Sequence, residues 1–229
     1  FPRLHFDNYS KWGLRNFHHN CRRHHLQLGI VGDVMVGHFV LLHGYSGTAD
    51  MIRPLAEKIC PKEWQVCDIS GPFPHPKSGN AWWSWNQNLN ETFSQDKLKQ
   101  LKVSVAHVLN LLPKEGPLII GGFSQGGAVA QELLLTEVAH RIVGVLVMGS
   151  KMVHPLLLHE KLMELSPKKM CSMHGERDEI VLFEQGEECA NLYEVGGWDV
   201  TRMHHHKGHV VDMNYIGQLK DWTSNITQR

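Results

Sequence analysis

Residues 117–134, PLIIGGFSQGGAVAQELL, constrain the fold more than any other part of the chain. Residues 117–123 are apolar without alternation, the pattern of a strand buried on both faces. The sequence from Gln125 onward reads as a helix, so Gly122-Phe123-Ser124-Gln125-Gly126 falls where a strand turns into a helix. A strand covered on both faces needs helices above and below it, which predicts a mostly parallel sheet in an α/β fold.

A serine between two glycines at such a turn has two readings. One is a tight glycine turn with no further role. The other is a nucleophile: G-x-S-x-G between a buried strand and a helix fits a turn so sharp that the residues two before and two after the serine must be small. The hydroxyl then stands clear of the sheet at a helix N-terminus, where free N–H groups favour developing negative charge.

The rest of the chain supports the α/β reading by alternation of short apolar runs and helical patterns. HLQLGIVG (25–32) and HFVLLH (38–43) read as strands of an antiparallel hairpin turning near Gly32-Asp33. A helix over 48–59 opens at Thr48 as N-cap, and WQVCDIS (64–70) is the next strand, followed by a long loop. Leu98, Leu101, Val105, Val108 and Leu112 recur at steps of three and four, the stripe of an amphipathic helix that Pro113 and Gly116 end. The helix after Ser124 is predicted to run to about His140.

Strands are predicted at 142–150 and 168–175 around a short helix over 154–165, then a helix over 179–197 with Gly186 as its weak point. The last strand falls at 198–206 and the last helix at 211–224. The expected organisation is a basic, aromatic extension over 1–24, read as a strap, and one α/β domain over 25–229. A targeting remnant or an interaction arm are the alternatives for the extension. The connection 151–167 is too short for a large cap domain, so a site at the strand ends should be open.

Charge narrows the partners. Lys plus Arg and Asp plus Glu are equal at 23 each and the sequence pI is near 7.4, so no overall field points to nucleic acid or an anionic membrane. No apolar run approaches the roughly 18 residues a spanning helix needs, and no stable membrane insertion is expected. Cys21, Cys60, Cys67, Cys171 and Cys189 are an odd set without CxxC spacing, which favours reduced thiols and a cytoplasmic setting over a disulfide scaffold.

A serine hydroxyl needs a base to take its proton and a carboxylate to orient that base. In this architecture they follow the serine in the order acid, then histidine, each in a loop at a strand's C-terminal end. MHGERDEIV places Asp178 just past a strand, with Glu176 and Glu179 as possible substitutes, and HHHKGHVVD places His209 just past the last one. An oxyanion hole needs two N–H donors, one from Gln125 and one from the turn after HFVLLH, at Tyr45.

LLHGYSGT, GGFSQGGAVA, HGERDEIV and KGH occur in the order and approximate spacing that resembles the phospholipase/carboxylesterase group of α/β-hydrolases, which includes acyl-protein thioesterases. The resemblance spans about 36–222 and implies Ser124 as nucleophile, His209 as base, Asp178 as its acid, and Tyr45 and Gln125 as oxyanion donors. It implies an α/β-hydrolase fold and cleavage of esters or thioesters, with an S-acylated protein or a lysophospholipid among the substrates. The chain departs from the group's usual sequence at Tyr45-Ser46-Gly47, at Glu176–Glu179 and at AWWSWNQ.

Trp82, Trp83 and Trp85 in that last stretch cannot all face one core from an extended loop, so they are candidates for the substrate pocket, with packing of the loop as the alternative. His204 and His206 share one face of a strand, but no spaced ligand accompanies them, and no metal is expected. The expected chemistry is a serine esterase needing no cofactor, closest to an acyl-protein thioesterase. The alternatives are a small-ester carboxylesterase or lysophospholipase, or a non-catalytic binding protein on the same fold, with homodimerisation left open.

Overall fold

The computed structural model describes residues 36–84 and 93–227. The extension over 1–24, the strand over 25–32 with its hairpin turn, Cys21 and Trp85 lie outside the described residues.

Among the described residues, six strands form one sheet in the order β2-β1-β5-β6-β7-β8. They are β1 (His38–Leu42), β2 (Gln65–Cys67), β5 (Leu118–Phe123), β6 (Ile142–Met148), β7 (Lys169–Gly175) and β8 (Asp199–His205). Every pairing among them is parallel. A two-stranded antiparallel ribbon, β3 (Phe73–Pro74) with β4 (Asn80–Ala81), lies in what reads from sequence as plain loop. A two-residue strand is too short to leave a periodic signal.

Helices cover both faces. α1 (Ala49–Ile59) and α6 (Ile216–Thr227) bury Leu55, Ile59, Leu219 and Trp222 against Phe39, Leu41, Ile119 and Leu146. On the other face α2 (Gln95–Leu111), α3 (Gln125–Glu132), α4 (Pro155–Glu164) and α5 (Phe183–Val195) pack on Val40, Leu42, Ile120, Val145 and Val147. Successive strand residues therefore enter opposite cores, which is why these strands carry no polar alternation. With only α4 between β6 and β7, no large cap covers the strand ends among the described residues.

Thr48 caps α1 as expected, its hydroxyl accepting from the Met51 N–H. Several boundaries differ from expectation: β2 stops at Cys67 rather than 70, and the last helix runs over Ile216–Thr227 rather than 211–224, after a tight turn over Met213–Tyr215. The α-helix after Ser124 ends at Glu132, and two tight turns over Leu133–Leu135 and Glu137–Arg141, separated by the extended Thr136, replace its continuation. The fifth helix begins at Phe183 rather than 179, because the Asp178 carboxylate captures the N–H groups of Ile180 and Val181 and holds that stretch as a turn. Among the described residues no helix is long and apolar enough to cross a membrane.

Candidate active site

The turn between β5 and α3 is built on two glycines in direct contact. A methyl group added to Gly122 would stand 2.3 Å from the carbonyl carbon of Gly126, and one on Gly126 would stand 2.3 Å from the Leu42 carbonyl oxygen. Only glycine at both positions lets the helix start this close to β1 and β5. Ser124 between them has φ 54° and ψ −120°, a region L-residues rarely occupy. Its N–H donates to Met148 O, and its carbonyl accepts from the Ala128 N–H and the Ser150 hydroxyl. Three hydrogen bonds hold the strained residue in place.

Asp178 and His209 lie in loops at the ends of β7 and β8, and backbone bonds staple those loops together. Glu176 N–H donates to His205 O, and Arg177 N–H to Lys207 O. Gly175 makes the crossing possible, since a methyl group there would meet Lys207 O at 2.3 Å. The side chains then converge: His209 Nδ1 is 2.7 Å from Asp178 Oδ2, and His209 Nε2 is 2.9 Å from Ser124 Oγ. With Nδ1–H donating to a carboxylate, the Nε2 lone pair faces the serine hydroxyl and can accept its proton. The Phe123 ring packs beside the imidazole at 4.7 Å.

Asp178 is 4% exposed. Burial pushes its pKa up, but hydrogen bonds from His174, His209 and the Val181 N–H outweigh that and hold the carboxyl well below the usual carboxylate range. It therefore stays charged beside His209. Glu176 pairs instead with His206, outside this constellation.

His174 is a partner that the sequence does not single out among 17 histidines. Its Nε2 is 2.8 Å from Val181 O and 3.4 Å from Asp178 Oδ2, with both side chains 1% exposed. Burial lowers the His174 pKa, but the bonds to Asp178 and Val181 more than reverse this and raise it. A methyl group on Gly186 would sit 2.2 Å from its ring, so the glycine expected as a weak point of α5 is where the helix clears this imidazole.

Tyr45 and Gln125 line the same cleft as Ser124 and His209. The N–H of Gln125 is the first of α3 and has no acceptor within the helix. The Tyr45 turn is tied down by His43, whose Nδ1 donates to Gly44 O while Nε2 accepts from the Gly71 N–H. Burial lowers the His43 pKa, in keeping with this neutral tautomer.

The tryptophans divide. Trp83 lines the cleft and meets Phe93 edge-on at 5.2 Å. Trp82 does not: it is fully buried in the core, its indole N–H donating to His43 O. The Gln125 side chain clamps both, accepting from the Trp82 N–H and donating to Trp83 O at 3.0 Å each. The expected pocket role for Trp82 is thus corrected, since an extended backbone that turns Trp83 to the cleft turns its neighbour inward.

His204 pairs with Glu187 and His206 with Glu176, so the two histidines face different carboxylates. Among the described residues no three His, Cys, Asp or Glu side chains gather as metal ligands.

A parallel sheet sandwiched by helices, carrying a serine on a strained strand-to-helix turn at its strand ends, defines an α/β-hydrolase. The chain belongs to the phospholipase/carboxylesterase family, which it matches over residues 38–226. Its fold is similar to that of esterase PE8, at 18% identity and a TM-score of 0.70 over 83% of this chain and 92% of that one. A Bacillus cereus carboxylesterase gives 18%, a TM-score of 0.68, and coverage of 83% and 89%. Acyl-protein thioesterase 2 of Zea mays gives 18%, a TM-score of 0.65, and coverage of 83% and 94%. No significant match was found among curated protein sequences.

Proposed function

We propose that this chain is a serine esterase that cleaves carboxylic esters or thioesters through an acyl-enzyme. The reading is carried by the line Ser124 Oγ, His209 Nε2, His209 Nδ1, Asp178 Oδ2, with separations of 2.9 and 2.7 Å. Ser124 Oγ attacks the carbonyl carbon as its proton passes to His209 Nε2, and Asp178 steadies the imidazolium. The N–H groups of Gln125 and Tyr45 hold the tetrahedral oxyanion. The intermediate collapses by breaking the C–O or C–S bond, and the departing alkoxide or thiolate takes the proton from His209. Water then attacks the acyl-enzyme, giving its proton to His209, and Ser124 is restored as the acid leaves. No step calls for a cofactor.

Within this class the family resemblance points to an acyl-protein thioesterase. A small-ester carboxylesterase is the second reading, and the cleft favours it: its volume of about 320 Å³ is at the low end of the ~300–1,000 Å³ typical of small-molecule sites. Hydrolysis of p-nitrophenyl esters from acetyl to palmitoyl, beside a palmitoyl-thioester peptide, separates the two. Labelling of Ser124 by a fluorophosphonate tests the enzyme reading itself. No labelling and no turnover would turn the proposal toward a binding protein on a hydrolase fold.

A further inference from the structure

The Asp178 carboxylate serves more than the line that reaches the serine. Its Oδ1 accepts from the Ile180 and Val181 N–H groups at 2.9 Å each. Its Oδ2, the oxygen that holds His209 Nδ1 at 2.7 Å, also lies 3.4 Å from His174 Nε2. That same nitrogen is 2.8 Å from Val181 O. A carbonyl oxygen only accepts, so His174 Nε2 carries a proton and donates it there, with the positive N–H beside Asp178 Oδ2 as well. Val181 is thereby tied through its N–H to Asp178 and through its carbonyl to His174, and it lines the cleft.

The His174 ring is fixed in this place. It lies near the end of β7 with its side chain 1% exposed, the Phe183 ring meets it edge-on at 6.1 Å, and Gly186 of α5 leaves room for it. The titratable groups that face it are Asp178 in its own loop, Glu187 on α5, His204 and His205 on β8, and His209 across the shared carboxylate. On its other side β6 has no titratable residue.

We propose that His174 is a positioning residue of the active site: it holds Asp178 Oδ2 in line for His209 and, as a second N–H at that oxygen, weakens its pull on the His209 imidazolium. The inference rests on the esterase reading of Ser124 and deepens it. A histidine that only filled the core would need no more than its bond to Val181 O. Sharing the oxygen that orients the base is what gives His174 an effect on the reaction. The sign does not depend on whether the His174 ring is neutral or charged, because its N–H puts positive charge beside Oδ2 in both states and so opposes a positive charge on His209.

The experiment measures kcat/KM for p-nitrophenyl acetate against pH in the native protein, His174→Leu and His174→Gln. The acid limb of that profile reports protonation of the base in the free enzyme. In His174→Leu the limb should move to higher pH by about half to one unit, the size of one lost hydrogen bond. Its kcat should fall while KM holds, as for a group that acts on the chemical step. His174→Gln, whose amide nitrogen can stand where the imidazole Nε2 stood, should keep the limb near its native position. A limb that stays in place or moves to lower pH in His174→Leu would overturn the inference, since a purely structural loss or a loosened Asp178 gives that result. A shift in His174→Gln as large as in His174→Leu would overturn it too. If His174→Leu does not fold, His174→Asn, too short to bring an N–H to Val181 O, is read in the same way. Independently of any variant, ¹⁵N NMR of the native protein should find the His174 proton on Nε2, and a neutral ring protonated only on Nδ1 would defeat the proposal. Absence of turnover together with no fluorophosphonate labelling of Ser124 in the native protein would instead show that the esterase reading has failed, and this inference with it.

Discussion

His209 Nε2 stands 2.9 Å from Ser124 Oγ, although 85 positions separate the two residues in the chain. The approach depends on the glycine turn that lifts Ser124 and on the backbone bonds that lash the loop before His209 to the loop before Asp178. Each of these supports can be tested separately.

Ser124 is held at φ 54°, and its Cβ bears the strain. Ser124→Ala and Ser124→Gly should both abolish ester turnover on the proposed mechanism. They should differ in stability: glycine relieves the backbone, so Ser124→Gly is expected to be more stable than Ser124→Ala by about 1 kcal/mol, net of glycine's greater unfolded-state freedom. Urea denaturation of the two variants measures the difference, and equal midpoints would mean that the turn is not strained.

Asp178→Asn should lower kcat by orders of magnitude, about 10⁴ in the best-studied triad. The same substitution has a pH signature. The folded pKa of Asp178 lies below its ordinary value of 3.8, so its charged form stabilises the fold. That contribution is complete above the unfolded pKa and is lost as pH falls through the lower folded value. Stability of the native protein should therefore fall more steeply with acidification below about pH 5 than that of Asp178→Asn. Parallel curves from denaturant titrations across that range would contradict the assignment.

Gly126→Ala would drive a methyl group to 2.3 Å from the Leu42 carbonyl oxygen, which is backbone and cannot swing aside. The cost should reach or pass the ~3 kcal/mol upper end of ordinary overpacking. Thermal unfolding would register it as a large fall in Tm, whereas Gly217→Ala, with nothing near its added methyl group, serves as the control.

Gln125→Leu should leave the Trp82 N–H and the Trp83 carbonyl without their buried partner. At roughly 1–3 kcal/mol for each group left unsatisfied, a loss of about 2–6 kcal/mol is expected. Tryptophan emission should shift to longer wavelength as the loop loosens. An unshifted spectrum with unchanged stability would show that the clamp contributes nothing.

Much of the fold was legible because its cues are local. An unbroken apolar run marks a strand covered on both faces, a stripe at steps of three and four marks α2, and Thr48 marks the start of α1. The boundaries that differed were decided by distant groups or by short-range competition. Asp178 took the Ile180 and Val181 N–H groups and delayed α5, and the extended Thr136 separates the two tight turns that follow α3. The ribbon of β3 and β4 was too short to read.

By itself the sequence determined the sheet-and-helix architecture, the glycine turn around Ser124 and the chain order of Ser124, Asp178 and His209, because each follows from local spacing or from the loop a residue occupies. Tertiary structure alone decided that His174 shares the Asp178 carboxylate and that Trp82 turns to the core while Trp83 faces the cleft. Those outcomes depend on which side of a packed element each side chain faces, and on groups brought together from remote positions. No periodicity in the chain records them.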